Sequence, residues 1–121
     1  MYRTNKFAIT EKPWGKEILI ERTQKYAFKE ILMVKDTRCS LQSHQFKSET
    51  IYIDSGKIEL ETIGIDGKST FEAFGPQEAY SIPSGVIHRV KVLEDCRLFE
   101  VSTAELEDII RHQDDYNREV I

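Results

Sequence analysis

Two histidines in unlike settings carry the first question of chemistry in this chain. His44 follows Leu41-Gln42-Ser43, and His88 follows Ile82-Pro83-Ser84-Gly85-Val86-Ile87. On a strand, side chains two apart share a face, so Gln42 and His44 can point together into a barrel. Glu49 stands at an odd offset from His44 and rejoins that face only if Gln45–Ser48 bends, bulges or turns. The small and charged residues of that piece permit it. Pro83 and Gly85 set a tight turn that fixes the start of the strand carrying His88. Two imidazoles, a carboxylate and an amide oxygen form a mixed N/O set suited to Zn²⁺, Mn²⁺, Fe²⁺ or Ni²⁺, whereas thiolates would favour zinc or Fe–S and an all-oxygen set Ca²⁺ or Mg²⁺. The same spacing also suits two histidines at the edge of a core, hydrogen-bonded to backbone. His112, beside Asp114 and Asp115, reads as a solvated surface residue.

The elements that must position these residues are short strands. Lys16–Arg22 and Tyr26–Val34 are rich in aliphatic and aromatic residues and are separated by Thr23-Gln24-Lys25. Thr50–Asp54 is the next run, broken by Ser55-Gly56, and Lys57–Ile63 alternates. Asp66-Gly67 supplies hairpin chemistry, with Ser69–Phe74 as the return strand. Ala79–Ile82, His88–Leu93 and Arg97–Ser102 follow. Only the end changes period: Ser102 or Thr103 can cap a helix, Glu105 or Glu107 suits its first turn, and Leu106, Ile109 and Ile110 fall at helical spacing. The pattern predicts a helix from about Ala104 to Gln113. Eight or nine short strands and one terminal helix predict a small β-barrel or jelly roll.

Bulk properties narrow the function. The chain has 121 residues, which suits one domain with one core, 1–121. Its net charge of −4 leaves no basic footprint for nucleic acid or an anionic membrane. No apolar run reaches the roughly 20 residues that span a bilayer. The N-terminal MYRTNKFAIT lacks the apolar core of a signal peptide, so a cytoplasmic location is expected. Cys39 and Cys96, far apart and outside any CxxC spacing, read as buried thiols.

At His44, Glu49 and Gly56, with the six-residue gap between the last two, and at Pro83, Gly85 and His88, the sequence resembles a cupin. More narrowly it resembles the type II mannose-6-phosphate isomerase-like cupins, the domain that also ends the bifunctional mannose-1-phosphate guanylyltransferase/mannose-6-phosphate isomerases. Lys12-Pro13-Trp14-Gly15, Ser40-Leu41-Gln42, Ile82-Pro83, His88-Arg89-Val90, Glu100-Val101-Ser102-Thr103, Glu105-Leu106 and Asp114-Asp115-Tyr116 extend the likeness over nearly the whole chain. The resemblance implies an all-β cupin double-stranded β-helix, a jelly-roll barrel here with a short C-terminal α-helix. It also implies a zinc site of Gln42, His44, Glu49 and His88.

Three departures matter. Phe46 takes the place of the second histidine of HxH, which disfavours an iron dioxygenase but is not needed by the glutamine-type ligand set. Lys47 stands where the bifunctional enzymes carry arginine, and the two differ as phosphate grips. Pro76-Gln77-Glu78 replaces a Pro-Gly-Asp turn. The glycine-rich nucleotide loop is absent from these residues, so guanylyltransferase activity is not expected.

An aldose–ketose isomerase needs a Lewis acid on the substrate oxygens and a base near the migrating proton. The metal would supply the first, Lys47 or a carboxylate such as Glu100 the second, and Arg89 could bind phosphate. Alternation, however, points Arg89 off the face of His88. The expected activity is a metal-dependent isomerase or sugar-modifying enzyme of polysaccharide biosynthesis, acting on a sugar or sugar phosphate. The alternative is a metal- and sugar-binding module without turnover. Single-domain cupins often pair, so a homodimer is expected, with Trp14 and its neighbouring strand closing the barrel or meeting the second copy.

Overall fold

The computed structural model describes residues 1–121 and contains nine strands and no helix. These are β1 (Ala8–Lys12), β2 (Gly15–Arg22), β3 (Ala27–Met33), β4 (Leu41–Ser43), β5 (Glu49–Ile63), β6 (Ser69–Phe74), β7 (Ala79–Ile82), β8 (Ile87–Ser102) and β9 (Ile110–Gln113). All pair antiparallel in one curled sheet, the jelly-roll architecture expected. The long strand β8 is its spine. One end pairs with β3, the other meets β4, and β5 runs along its whole length.

The break expected at Ser55-Gly56 is instead a bend inside one continuous strand. The β5–β8 register slips around Ser55 and Lys57, and Gly56 adopts φ 89°. A Cβ at Gly56 would lie 2.2 Å from the Asp95 carbonyl oxygen and 2.7 Å from Cys96 Cα, so only glycine allows this approach. The slip also changes which residues face inward, from Glu49, Ile51 and Ile53 before the bend to Ile58 and Leu60 after it. Gly15 is constrained likewise: at φ 147° its Cβ would lie 1.9 Å from the Leu32 carbonyl oxygen. The Pro13-Trp14 turn before it drops the Trp14 indole into the core cluster with Ile31, Met33 and Leu98.

The expected helix over Ala104–Gln113 does not form. Residues 104–109 make tight turns, with Leu106 N–H donating to the Ala104 carbonyl and Asp108 N–H to that of Glu105, and Ile110–Gln113 then pairs with β4. Three anchors hold this path. Arg22 donates to the Ala104 carbonyl and forks onto the Glu107 carboxylate, and the Asp108 carboxylate is bound to another loop. Leu106 and Ile109, whose spacing suggested a helix face, both reach the barrel cavity from the turns. No helix of the chain is long and apolar enough to cross a membrane.

Candidate metal centre

The inward row of β3 reads Ala27, Lys29, Ile31, Met33, all buried, and that of β8 reads His88, Val90, Val92 and then Cys96, Leu98, Glu100, Ser102. Between these walls lies a cavity of about 140 Å³, ten times the ~10–15 Å³ that admits one water. Its walls include Gln42, His44, Lys47, Glu49, His88 and Glu100.

Each proposed ligand is placed by a separate device. Gln42 is the β4 residue directly opposite His88 on β8, so the two project to the same side. His44 follows the last residue of β4, and the chain then bends at Gln45-Phe46 to bring Glu49 in as the first residue of β5. The Asp108 carboxylate fixes that bend by accepting hydrogen bonds from three successive amides, Gln45 N (3.0 Å), Phe46 N (2.7 Å) and Lys47 N (2.9 Å). Phe46 itself faces solvent, 66% exposed, so its side chain takes no part in the site.

Ring orientation is fixed as well. His44 Nδ1–H donates to the Asp108 carbonyl at 2.6 Å, and His88 Nδ1–H to the Val86 carbonyl at 2.9 Å. A carbonyl can only accept, so Nδ1 carries a proton on each ring and Nε2 is the nitrogen turned into the site, where it can serve as a ligand once unprotonated, the arrangement that metal-binding histidines adopt. Both Nε2 atoms face Glu49 Oε1, at 3.8 Å from His44 and 3.3 Å from His88. His44 Nε2 is buried with no hydrogen-bond partner. Ligands held ~2.0–2.2 Å from a zinc-sized ion lie about 3–4 Å apart; both separations to Glu49 Oε1 fall in that range, and the three atoms all lie within 4.8 Å of one another, so they could hold one ion. Gln42 Oε1 accepts from Ser40 Oγ at 2.7 Å and keeps a second lone pair.

Beside the ligands lies a buried charge cluster. Lys47 Nζ is 3.2 Å from Glu49 Oε2 and 3.6 Å from Glu100 Oε2. Burial works against the Lys47 ammonium, but the Glu100 and Glu49 charges outweigh it and raise its pKa. Burial also works against the Glu49 carboxylate, yet the His88 hydrogen bond and the Lys47 charge hold its pKa below the ordinary range. Glu100 moves the other way, pushed up to about 8 by burial and then by the Glu49 charge. Burial, then the Lys47 charge, lower the His44 pKa and keep the ring neutral.

Other expected residues lie elsewhere. Arg89 is buried but does not line the cavity; its guanidinium reaches the Gln113 carbonyl at 3.4 Å, as strand alternation required. The substrate-binding part expected of Arg89 therefore has no geometric basis inside the barrel. His112 is half-buried rather than solvated, with Nε2 2.9 Å from Ser43 Oγ. Cys39 and Cys96 are buried free thiols, as read. Sequence reasoning missed Asp108, hidden inside the expected helix. One more acid in a run that reads as helical is a weak signal, and only the tertiary fold brings it to the 45–47 loop.

Comparison with known proteins bears on the family and the fold. Residues 3–114 match the family described as Mannose-6-phosphate isomerase C-terminal. No curated protein sequence matches the chain. Among solved structures, the chain is similar to oxalate decarboxylase from Bacillus subtilis, with a TM-score of 0.76 and 14% identity over 91% of this chain and 31% of that one. Another structure of that decarboxylase concerns its Mn(II) centers. KdgF from Halomonas sp. gives a TM-score of 0.71 and 14% identity over 83% of this chain and 90% of that one. The capsular polysaccharide assembling protein CapF from Staphylococcus aureus gives 0.68 and 15%, over 80% and 29%. The chain thus spans about a third of the oxalate decarboxylase length, and at these identities the likeness is one of fold. The chain belongs to the mannose-6-phosphate isomerase C-terminal family of cupins.

Proposed function

We propose that this member of the family binds a divalent metal, zinc in the first instance with manganese, iron or nickel as alternatives, and isomerises a sugar phosphate between aldose and ketose. Gln42, His44, Glu49 and His88 would hold the ion. The observation that carries the reading is the convergence of two carbonyl-oriented imidazoles on Glu49, with Glu100 and Lys47 beside them in the same cavity. When bound, the metal would supply a Lewis acid for the substrate's carbonyl and hydroxyl oxygens.

The chain's own residues supply the rest. Glu100, as the carboxylate, takes the proton from C2 and returns it to C1, while the proton on O2 passes to O1; two protons move from position 2 to position 1 and none is gained or lost. Lys47, held as a cation by Glu49 and Glu100, stabilises negative charge on those oxygens and is in the wrong charge state for a base. Trp14, Ile31, Met33 and Leu98 line the cavity and keep bulk water from the reacting carbons.

A binding module without turnover is the second reading. It is favoured by the same ion pairs, since a lysine clasped by two carboxylates can serve purely as structure. The polysaccharide setting draws on the family and on the fold likeness to CapF, and a cytoplasmic homodimer completes the proposal.

Metal analysis of the purified protein and of His44→Ala and His88→Ala tests the site. About one ion per chain is expected in the parent and almost none in the variants; ion retained by both variants would sink it. Interconversion of mannose 6-phosphate and fructose 6-phosphate, assayed with added metals, then separates enzyme from binder. Lys47→Ala is expected to lower that rate by about 10²–10³-fold with metal retained.

A further inference from the structure

The metal centre uses only one end of the cavity. Besides Lys47, the cavity is lined by four cations, Lys12, Lys29, Arg111 and Arg118, in a chain whose net charge is −4. Two of them are neutralised in place: Lys29 Nζ binds Glu17 at 2.9 Å, and Arg118 forks onto Asp114 at 2.8 and 3.0 Å. Lys12 and Arg111 have neither a side-chain hydrogen bond nor an ion pair, and Arg111 Nε is buried without a partner. A guanidinium that has lost water at one nitrogen and gained no acceptor is costly to keep unless a ligand completes it.

The sheet sets where this pair stands relative to the metal ligands. Gln42 on β4 is the register partner of His88 on one side and of Arg111 on the other. The three side chains therefore form one cross-strand row on the cavity face. Adjacent strands lie ≈ 4.7–4.9 Å apart, so the Arg111 backbone stands about 10 Å from that of His88. β9 is held in this position by its own clamps. Arg38 forks onto Asp115 at 2.6 and 2.9 Å, and Tyr116 Oη donates to the Arg38 carbonyl at 3.0 Å.

We infer that Arg111 and Lys12 form the phosphate subsite of this cavity, receiving the phosphomonoester end of a substrate whose other end reaches the metal ligands. The charge balance selects phosphate over carboxylate, because two uncompensated cations match the ≈ −1.5 to −2 charge of a phosphomonoester at neutral pH. Arg111 offers the planar fork that grips such an anion through two parallel bonds, and Lys12 adds a point charge. Two strand spacings suit a five- or six-carbon chain with its carbonyl at one end and phosphate at the other. The position of the substrate's far end rests on the proposed function above, whereas the anion subsite itself does not.

The test therefore uses metal-free protein and inorganic phosphate, read by ³¹P line broadening and by the emission of Trp14, the single tryptophan, which lines the same cavity. Saturable binding is expected, weakened about tenfold or more in Arg111→Gln and several-fold in Lys12→Met. Arg111→Lys keeps the charge without the fork and should fall between the parent and Arg111→Gln; it serves also if the glutamine variant does not fold. Acetate at equal ionic strength should bind far more weakly. The inference is overturned if phosphate shows no saturable binding, if Arg111→Gln and Lys12→Met both bind like the parent, or if acetate competes equally. Loss of metal in His44→Ala with phosphate binding intact would separate the fate of the metal site from that of this subsite.

Discussion

Three strands carry two successive inward rows that share one backbone geometry and differ completely in chemistry. In the first, Lys29 on β3 is paired with Glu100 on β8, which is paired with Ile51 on β5. Two residues along the same strands, Ile31, Leu98 and Ile53 form the next row, all buried and all apolar. The apolar row needs only volume and area. The polar row must find a partner for every charge it buries, and it does so through Glu17, Lys47 and Glu49. Buried ion pairs of this kind are weak contributors to stability, because desolvation offsets the attraction. Under the proposed function, their position beside three convergent metal-type side chains makes this end of the barrel the working one, and the apolar end the part that holds its walls in register.

Substitutions that act on one row and spare the other test this division. Leu98→Ala in the apolar row should cost about 2–5 kcal/mol in denaturant unfolding while metal content is unchanged; loss of metal at equal stability would show that the rows are not separable. Asp108→Asn removes the charged acceptor of the 45–47 amides while keeping the carbonyl that orients His44. It should weaken metal affinity by about 10–100-fold in a competition titration with a chelator, with a much smaller change in melting temperature. The smallest effect is expected at the thiols. Burial pushes Cys39 and Cys96 up to about 11, so both stay protonated at pH 8 and should react with a disulfide reagent only as the chain unfolds. Rapid labelling of Cys96 in the native state would show that the apolar end is open.

The candidate ligands were legible from residue type and strand period. Gln42 and His44 obey the period of two, and Pro83 and Gly85 mark the turn that delivers His88. Position 46 was legible only in part: its identity is written in the chain, but that its side chain faces solvent follows from a bend that Asp108 imposes from 61 and more residues away. The missed strand β9 has the same origin. Leu106, Ile109 and Ile110 satisfy a helical period locally, yet the Arg22 and Asp108 contacts outweigh so short a helix, whose isolated stability is marginal.

By itself, then, the sequence determined the all-β class, most strand positions and the identity of the metal-type residues, because these depend on side-chain type and on repeats of two. Tertiary structure alone decided the imidazole orientations, the Asp108 clamp on the 45–47 loop and the unpaired state of Arg111. Each of those depends on which carbonyl or carboxylate arrives from a distant strand, and that is set by ladder register and bulges rather than by any local pattern.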